Sequence, residues 1–109
     1  MKTAKITIIG KVQNVGFRNF AKRKADEYKI KGYVKNSIDG NVEIIAAGDE
    51  FKLEKFIREC RRGPLLASIK EVNVSYITEK ERGEKLEENK KKSEEDDDSE
   101  ESNGFEIKL

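Results

Sequence analysis

Over the first 77 residues the spacing of apolar side chains switches repeatedly between a two-residue period and one of roughly 3.6 residues, and the order of those switches leaves few folds open. Lys5 to Gly10 alternates and is rich in β-branched residues, which predicts a strand with Ile6 and Ile8 on one face. Phe17, Phe20, Ala21, Ala25 and Tyr28 follow at helical spacing and predict a helix of about three turns. Tyr33–Ile38 and Asn41–Ala47 flank Asp39-Gly40, a pair that tolerates positive φ at both positions and so favours a tight hairpin turn. Asp49 is the expected N-cap of a second helix with the stripe Leu53, Phe56, Ile57 and Cys60, and Gly63-Pro64 should stop it. A fourth strand is expected from about Ser68 to Ile77, with Val72, Val74 and Tyr76 alternating. Strand, helix, strand, strand, helix, strand is the split βαβ arrangement. The predicted fold is therefore α+β, a ferredoxin-like βαββαβ sandwich in which an antiparallel sheet carries both helices on one face.

The chain changes character after Thr78. Between Glu79 and Gly104 lie 12 acidic and 6 basic residues, with Leu86 as the single large apolar side chain. A segment of this composition buries too little apolar surface to offset its ordering entropy, so residues 79–103 are expected to form a charged, disordered insertion. Phe105, Ile107 and Leu109 then restore alternation and predict a short last strand at the sheet edge, which makes 1–109 a single domain. The net charge of +1 conceals this division: the insertion carries −6 and the remainder +7. A basic body attracts nucleic acid, phosphate metabolites or acidic partners, and charge alone does not choose among them. No apolar run is long enough to span a bilayer and the N-terminus has no cleavage pattern, so a cytoplasmic protein without membrane partners is expected. Cys60 is the only cysteine and fits a core position, and the chain has no histidine. Catalysis here would have to proceed without imidazole and without a zinc site.

The junction "GKVQNVGFRNF", Gly10 to Phe20, is where chemistry is expected. A glycine-containing loop that opens a helix aims backbone N–H groups at a common point, and helix N-termini favour anions. Arg18 lies in the first helical turn, where the dipole disfavours a cation unless an anion is near. Its planar fork suits two phosphate oxygens. Asn36 sits in a strand against its propensity, and an uncharged amide there can orient a water without repelling an anion. The bland readings are a shaped turn at Gly16, a solvated arginine and an edge asparagine. Lys22, Arg23, Lys24, Lys29, Lys31 and Lys35 are expected to be a solvated flank that also steers anions.

Four segments carry a resemblance to the acylphosphatase family: "GKVQNVGFR" after the first strand, "GYVKNSIDGNVEI" in the hairpin, "GP" after the second helix and "NGFEIKL" at the end. The likeness covers the chain outside Glu79 to Ser102. It implies a small monomeric domain that hydrolyses the carboxyl-phosphate bond of small acyl phosphates and releases inorganic phosphate, without metal or cofactor. By resemblance Arg18 and Asn36 are the catalytic residues, and Gln13, Asn14, Val15, Gly16, Phe17 and Arg18 form the phosphate-binding loop. Most members carry glycine in mid-loop where this chain has Asn14, a position expected to need positive φ. A catalytically silent phosphate-binding module and an RNA-binding domain remain open. The latter expects aromatic runs on the central strands, for which Tyr33 is the nearest candidate, and the absence of such a run argues against nucleic acid.

Overall fold

β1 (Lys2–Lys11) alternates as its sequence requires, with Ala4, Ile6 and Ile8 fully buried and Lys5 exposed. A computed structural model describes residues 1–77 and 104–108 of the protein, so the expected insertion at 79–103 and the expected strand residue Leu109 lie outside the described residues. β1 leads into α1 (Phe17–Tyr28), β2 (Lys31–Asn36), β3 (Val42–Gly48), α2 (Glu50–Arg62), β4 (Ser68–Tyr76) and β5 (Phe105–Lys108). The strands form one sheet in the order β4-β1-β3-β2-β5. Antiparallel ladders join β1 to β3 and β4, and β2 to β3, with Ile6 opposite Ile44 and Val34 opposite the same Ile44.

β5 takes the predicted edge position but runs parallel to β2, with Gly32 opposite Phe105 and Lys35 opposite Lys108, so the sheet is mixed and not wholly antiparallel. The direction follows from where the chain re-enters. β4 ends beside Ala4, near the start of β1, and β2 starts at that same end, with Lys31 opposite Ala47. A strand that begins where β4 stops therefore points the same way as β2. Four residues suffice to hold it because Phe105 is buried against Phe56, ring centroids 5.8 Å apart. Burial of one such ring is worth about 1.5–3 kcal/mol.

Both helices lie on one face. α1 packs on β2 and β5, and α2 on β1, β3 and β4. Phe17, Phe20, Ala21 and Ala25 of α1 and Leu53, Phe56, Ile57 and Cys60 of α2 are the buried stripes expected from their spacing. The Asp49 carboxylate accepts from the Lys52 N–H at 3.3 Å and caps α2, and Gly63 ends it. α1 stops differently. Lys29 takes a left-handed conformation, φ 59°, and the N–H of Ile30 reaches back to the Ala25 carbonyl at 2.8 Å. This closure has the geometry usually given to glycine, so the sequence held no marker for it. In the hairpin only Gly40 has positive φ, at 92°, so the Asp39-Gly40 turn is looser than two positive-φ residues would make it. Ser37 N–H meets the Asn41 carbonyl at 2.9 Å and Gly40 N–H the Ser37 carbonyl at 3.2 Å.

Candidate active site

The end of β1 aims the loop. The register of β1 against β4 shifts between Ile9 and Gly10. Gly10 sits so close to β4 that a Cβ would run into the Ser68 carbonyl oxygen. After this bulge Val12 is buried and anchors the chain. Asn14 then adopts φ 62°, the positive value expected of it, and Gly16 follows at 81° as the N-cap of α1. Nothing lies within 4 Å of where a Gly16 Cβ would be, so glycine serves backbone conformation there and not space. Gly16 offers no capping side chain. The N–H groups of Phe17, Arg18 and Asn19 have no partner within the helix and are available to something outside it.

The six loop residues divide by what their side chains do. Phe17 is buried and Val15 packs against the core, which leaves only their backbone for the loop's open side. Asn14 and Gly16 are exposed. Gln13 reaches across to the hairpin: its amide nitrogen donates to the carbonyl oxygens of Ser37 at 2.8 Å and Asn41 at 2.9 Å. Arg18 is half-buried and its Nη1 donates to the Lys108 carbonyl oxygen at 3.0 Å. Lys108 lies opposite Lys35, one residue before Asn36.

These bonds bring three parts of the chain to one end of the sheet. Asn36 is the last residue of β2, half-buried, opposite Val42. Alternation from the buried Val34 puts it on the helix-covered face, the face that carries α1 and Arg18. An open hollow beside the hairpin is lined by Lys35, Asn36, Ser37, Ile38, Asp39 and Glu43, and it does not take in Arg18 or the loop. Lys35 and Glu43 are paired across strands on the uncovered face, and Asn36 borders the same hollow beside the hairpin. The turn itself is stiffened by the Ser37 hydroxyl, which donates to the Asp39 carboxylate and holds that carboxyl below its ordinary range.

Two members of the expected basic flank are paired. Lys22 bridges to Asp26 at 3.0 Å, and Lys24 lies 3.6 Å from Glu27 and 3.9 Å from Glu59. On the uncovered face Lys108 Nζ sits over the Tyr33 ring, 4.5 Å from its centroid.

The acylphosphatase family model matches residues 4–107, which takes in both helices and all or most of each described strand. The chain belongs to the acylphosphatase family. It is 49% identical over 74 residues to an acylphosphatase of Archaeoglobus fulgidus, covering 68% of this chain and 83% of that one. With an acylphosphatase of Thermotoga maritima it shares 46% over 78 residues, 72% of this chain and 87% of the relative. Among solved structures, the crystal structure of acylphosphatase from Bacillus subtilis superposes with a TM-score of 0.75 at 29% identity, covering 100% of both chains.

Within this acylphosphatase fold, two features of the candidate site had no clear signal in the sequence. The Lys108 carbonyl that holds Arg18 lies 90 residues away and is a backbone group, which no side-chain pattern reveals. Gln13 was legible as a loop residue, but its two partners belong to a turn 24 and 28 residues downstream. For Gln13 the side chain serves the hairpin, and only its backbone is left for the loop.

Proposed function

We propose that the protein hydrolyses the carboxyl-phosphate bond of small acyl phosphates to a carboxylate and inorganic phosphate, with Arg18 and Asn36 as the catalytic residues. Family membership supports the reaction class. The observation that carries the residue roles is the meeting of the loop, Arg18 and the end of β2 at one end of the sheet through the Gln13 and Arg18 bonds. In this reading the backbone N–H groups of Asn14 to Arg18 and the remaining donors of the Arg18 fork take the phosphoryl oxygens. The Asn36 amide orients a water in line with the leaving carboxylate. The water oxygen forms a bond to phosphorus as the bond from phosphorus to the acyl oxygen breaks. The carboxylate departs with that electron pair, and a phosphate oxygen receives the water's proton. With no histidine in the chain, this route needs no side-chain base.

The protein acts as a cytoplasmic monomer in this proposal, and 79–103 is an insertion dispensable for activity. No helix among the described residues is long and apolar enough to cross a membrane. The curated relatives match over stretches such as 74 and 78 residues of a 109-residue chain, which fits one domain with added residues. Stacking of RNA on the sheet is disfavoured, because the ring of Tyr33 is already covered by Lys108. Release of inorganic phosphate from benzoyl phosphate by the purified protein, beside a filter-binding assay with RNA, tests the whole reading. Binding of inorganic phosphate with no release from the acyl phosphate would identify the silent module instead.

A further inference from the structure

Gln13 is a long polar side chain that connects the loop to the strand pair bearing Asn36, and both its partners are carbonyl oxygens, so its amide NH2 group must face them. The two acceptors stand on either side of the hairpin mouth. Ser37 follows Asn36 directly, and Asn41 precedes Val42, which is the residue opposite Asn36. With both donors engaged, the amide has only its oxygen left, an acceptor with nothing to offer the unprotonated, negatively charged phosphoryl oxygens. We infer that Gln13 is a positioning residue, whose forked bond fixes the distance between the phosphate loop and the water-orienting amide of Asn36, and that its side chain takes no part in holding phosphate.

Physical detail supports a spacing role. Val12 is buried on one side of Gln13 and Asn14 is in the left-handed region on the other, so the backbone at this point is held and the side chain transmits that fixed position to the turn. The turn is also closed by the Ser37 N–H on the same Asn41 carbonyl, at 2.9 Å, and by the Ser37 hydroxyl on the Asp39 carboxylate. Loss of Gln13 therefore leaves the turn formed but no longer tied to the loop. Displacing a reactive group by about 1 Å costs on the order of a hundredfold in rate.

This inference rests on the roles proposed above for Arg18 and Asn36. The test compares Gln13→Met, equal in length but without donors, and Gln13→Asn, which keeps the amide but falls short of both carbonyls. With benzoyl phosphate as substrate, each should lower kcat by roughly tenfold to a hundredfold, while the inhibition constant of inorganic phosphate stays within about twofold of the parent. In an Asn36→Ala background, Gln13→Met should add less than about a twofold further loss, since the group it positions is gone. A structural role alone predicts the same factor in both backgrounds. Parental kcat in a folded Gln13→Met or Gln13→Asn protein, or a weakened phosphate constant equal to the loss in kcat, overturns the inference while leaving Arg18 and Asn36 in place. Parental kcat in folded Arg18→Ala and Asn36→Ala proteins would instead remove the reading beneath it.

Discussion

Replacing Arg18 by alanine separates what the side chain does for the fold from what it does for an anion. Among the described residues its side chain bonds to the Lys108 carbonyl oxygen, at 3.0 Å and from a half-buried position. Losing that bond should cost about 1 kcal/mol of stability. In a domain of this size such a loss lowers the Tm by about 4–8 °C, so the variant stays folded at assay temperature. The remaining fork is proposed to hold two phosphate oxygens. Two charge-assisted bonds at about 1.5 kcal/mol each sum to about 3 kcal/mol, or roughly a 150-fold rise in the inhibition constant of inorganic phosphate. Turnover should fall by a further factor on the order of a hundred to a thousand, the scale for removing one preorganised donor from developing negative charge. Arg18→Lys keeps the charge but not the fork, and should recover part of the phosphate affinity without restoring turnover. Benzoyl phosphate hydrolysis followed by ultraviolet absorbance gives kcat/KM, competition by inorganic phosphate gives its constant, and circular dichroism melts report the fold. A folded Arg18→Ala protein with kcat/KM within about threefold of the parent would refute the reasoning, since no single charge-assisted bond is worth so little at a reacting phosphate.

Asn36→Ala should lower kcat by roughly a hundredfold with the inorganic phosphate constant nearly unchanged. An equal loss in both would make Asn36 a phosphate ligand and not a water-orienting group. Replacing residues 79–103 by a short neutral turn should leave Tm and kcat at parental values, because the segment has a single large apolar residue to bury. A fall in KM at low ionic strength that disappears at high salt would show that the polyanion competes for the basic site. Burial, with the neighbouring Glu59 charge adding to it, pushes the Cys60 thiol well above its ordinary range. In the unfolded chain that thiol ionises near pH 8.5, so its contribution to stability is complete below that pH and declines as pH rises above it. The urea midpoint of the parent should accordingly fall more steeply from about pH 8 to 10 than that of Cys60→Ala. Equal slopes would mean that the thiol reaches solvent in the folded protein.

Local pattern carried the elements a long way. The stripes of both helices, the Asp49 cap, the Gly63 stop and the positive φ of Asn14 are each decided within a few residues, by side-chain period, a carboxylate beside orphan N–H groups, or the tolerance of a short polar side chain for the left-handed region. Where a local conformation was adopted without its usual residue, as at Lys29, the sequence was silent. The candidate site was legible as a loop, an arginine and an asparagine because each belongs to a contiguous motif, and the chemistry of an anion restricts which residue types serve it.

Tertiary structure decided how those pieces stand relative to one another. The parallel direction of β5 depends on which end of the sheet β4 reaches, a property of topology that no strand encodes in its own residues. The Lys108 carbonyl becomes the partner of Arg18 only because β5 lies under α1. Gln13 becomes a tie between loop and hairpin only because β1 and β3 are neighbours, which brings the start of β3 beside the end of β1. Residue type and period act over one or two turns of chain, whereas a hydrogen bond to a backbone carbonyl needs an approach to about 3 Å that only the packed sheet and helices can set.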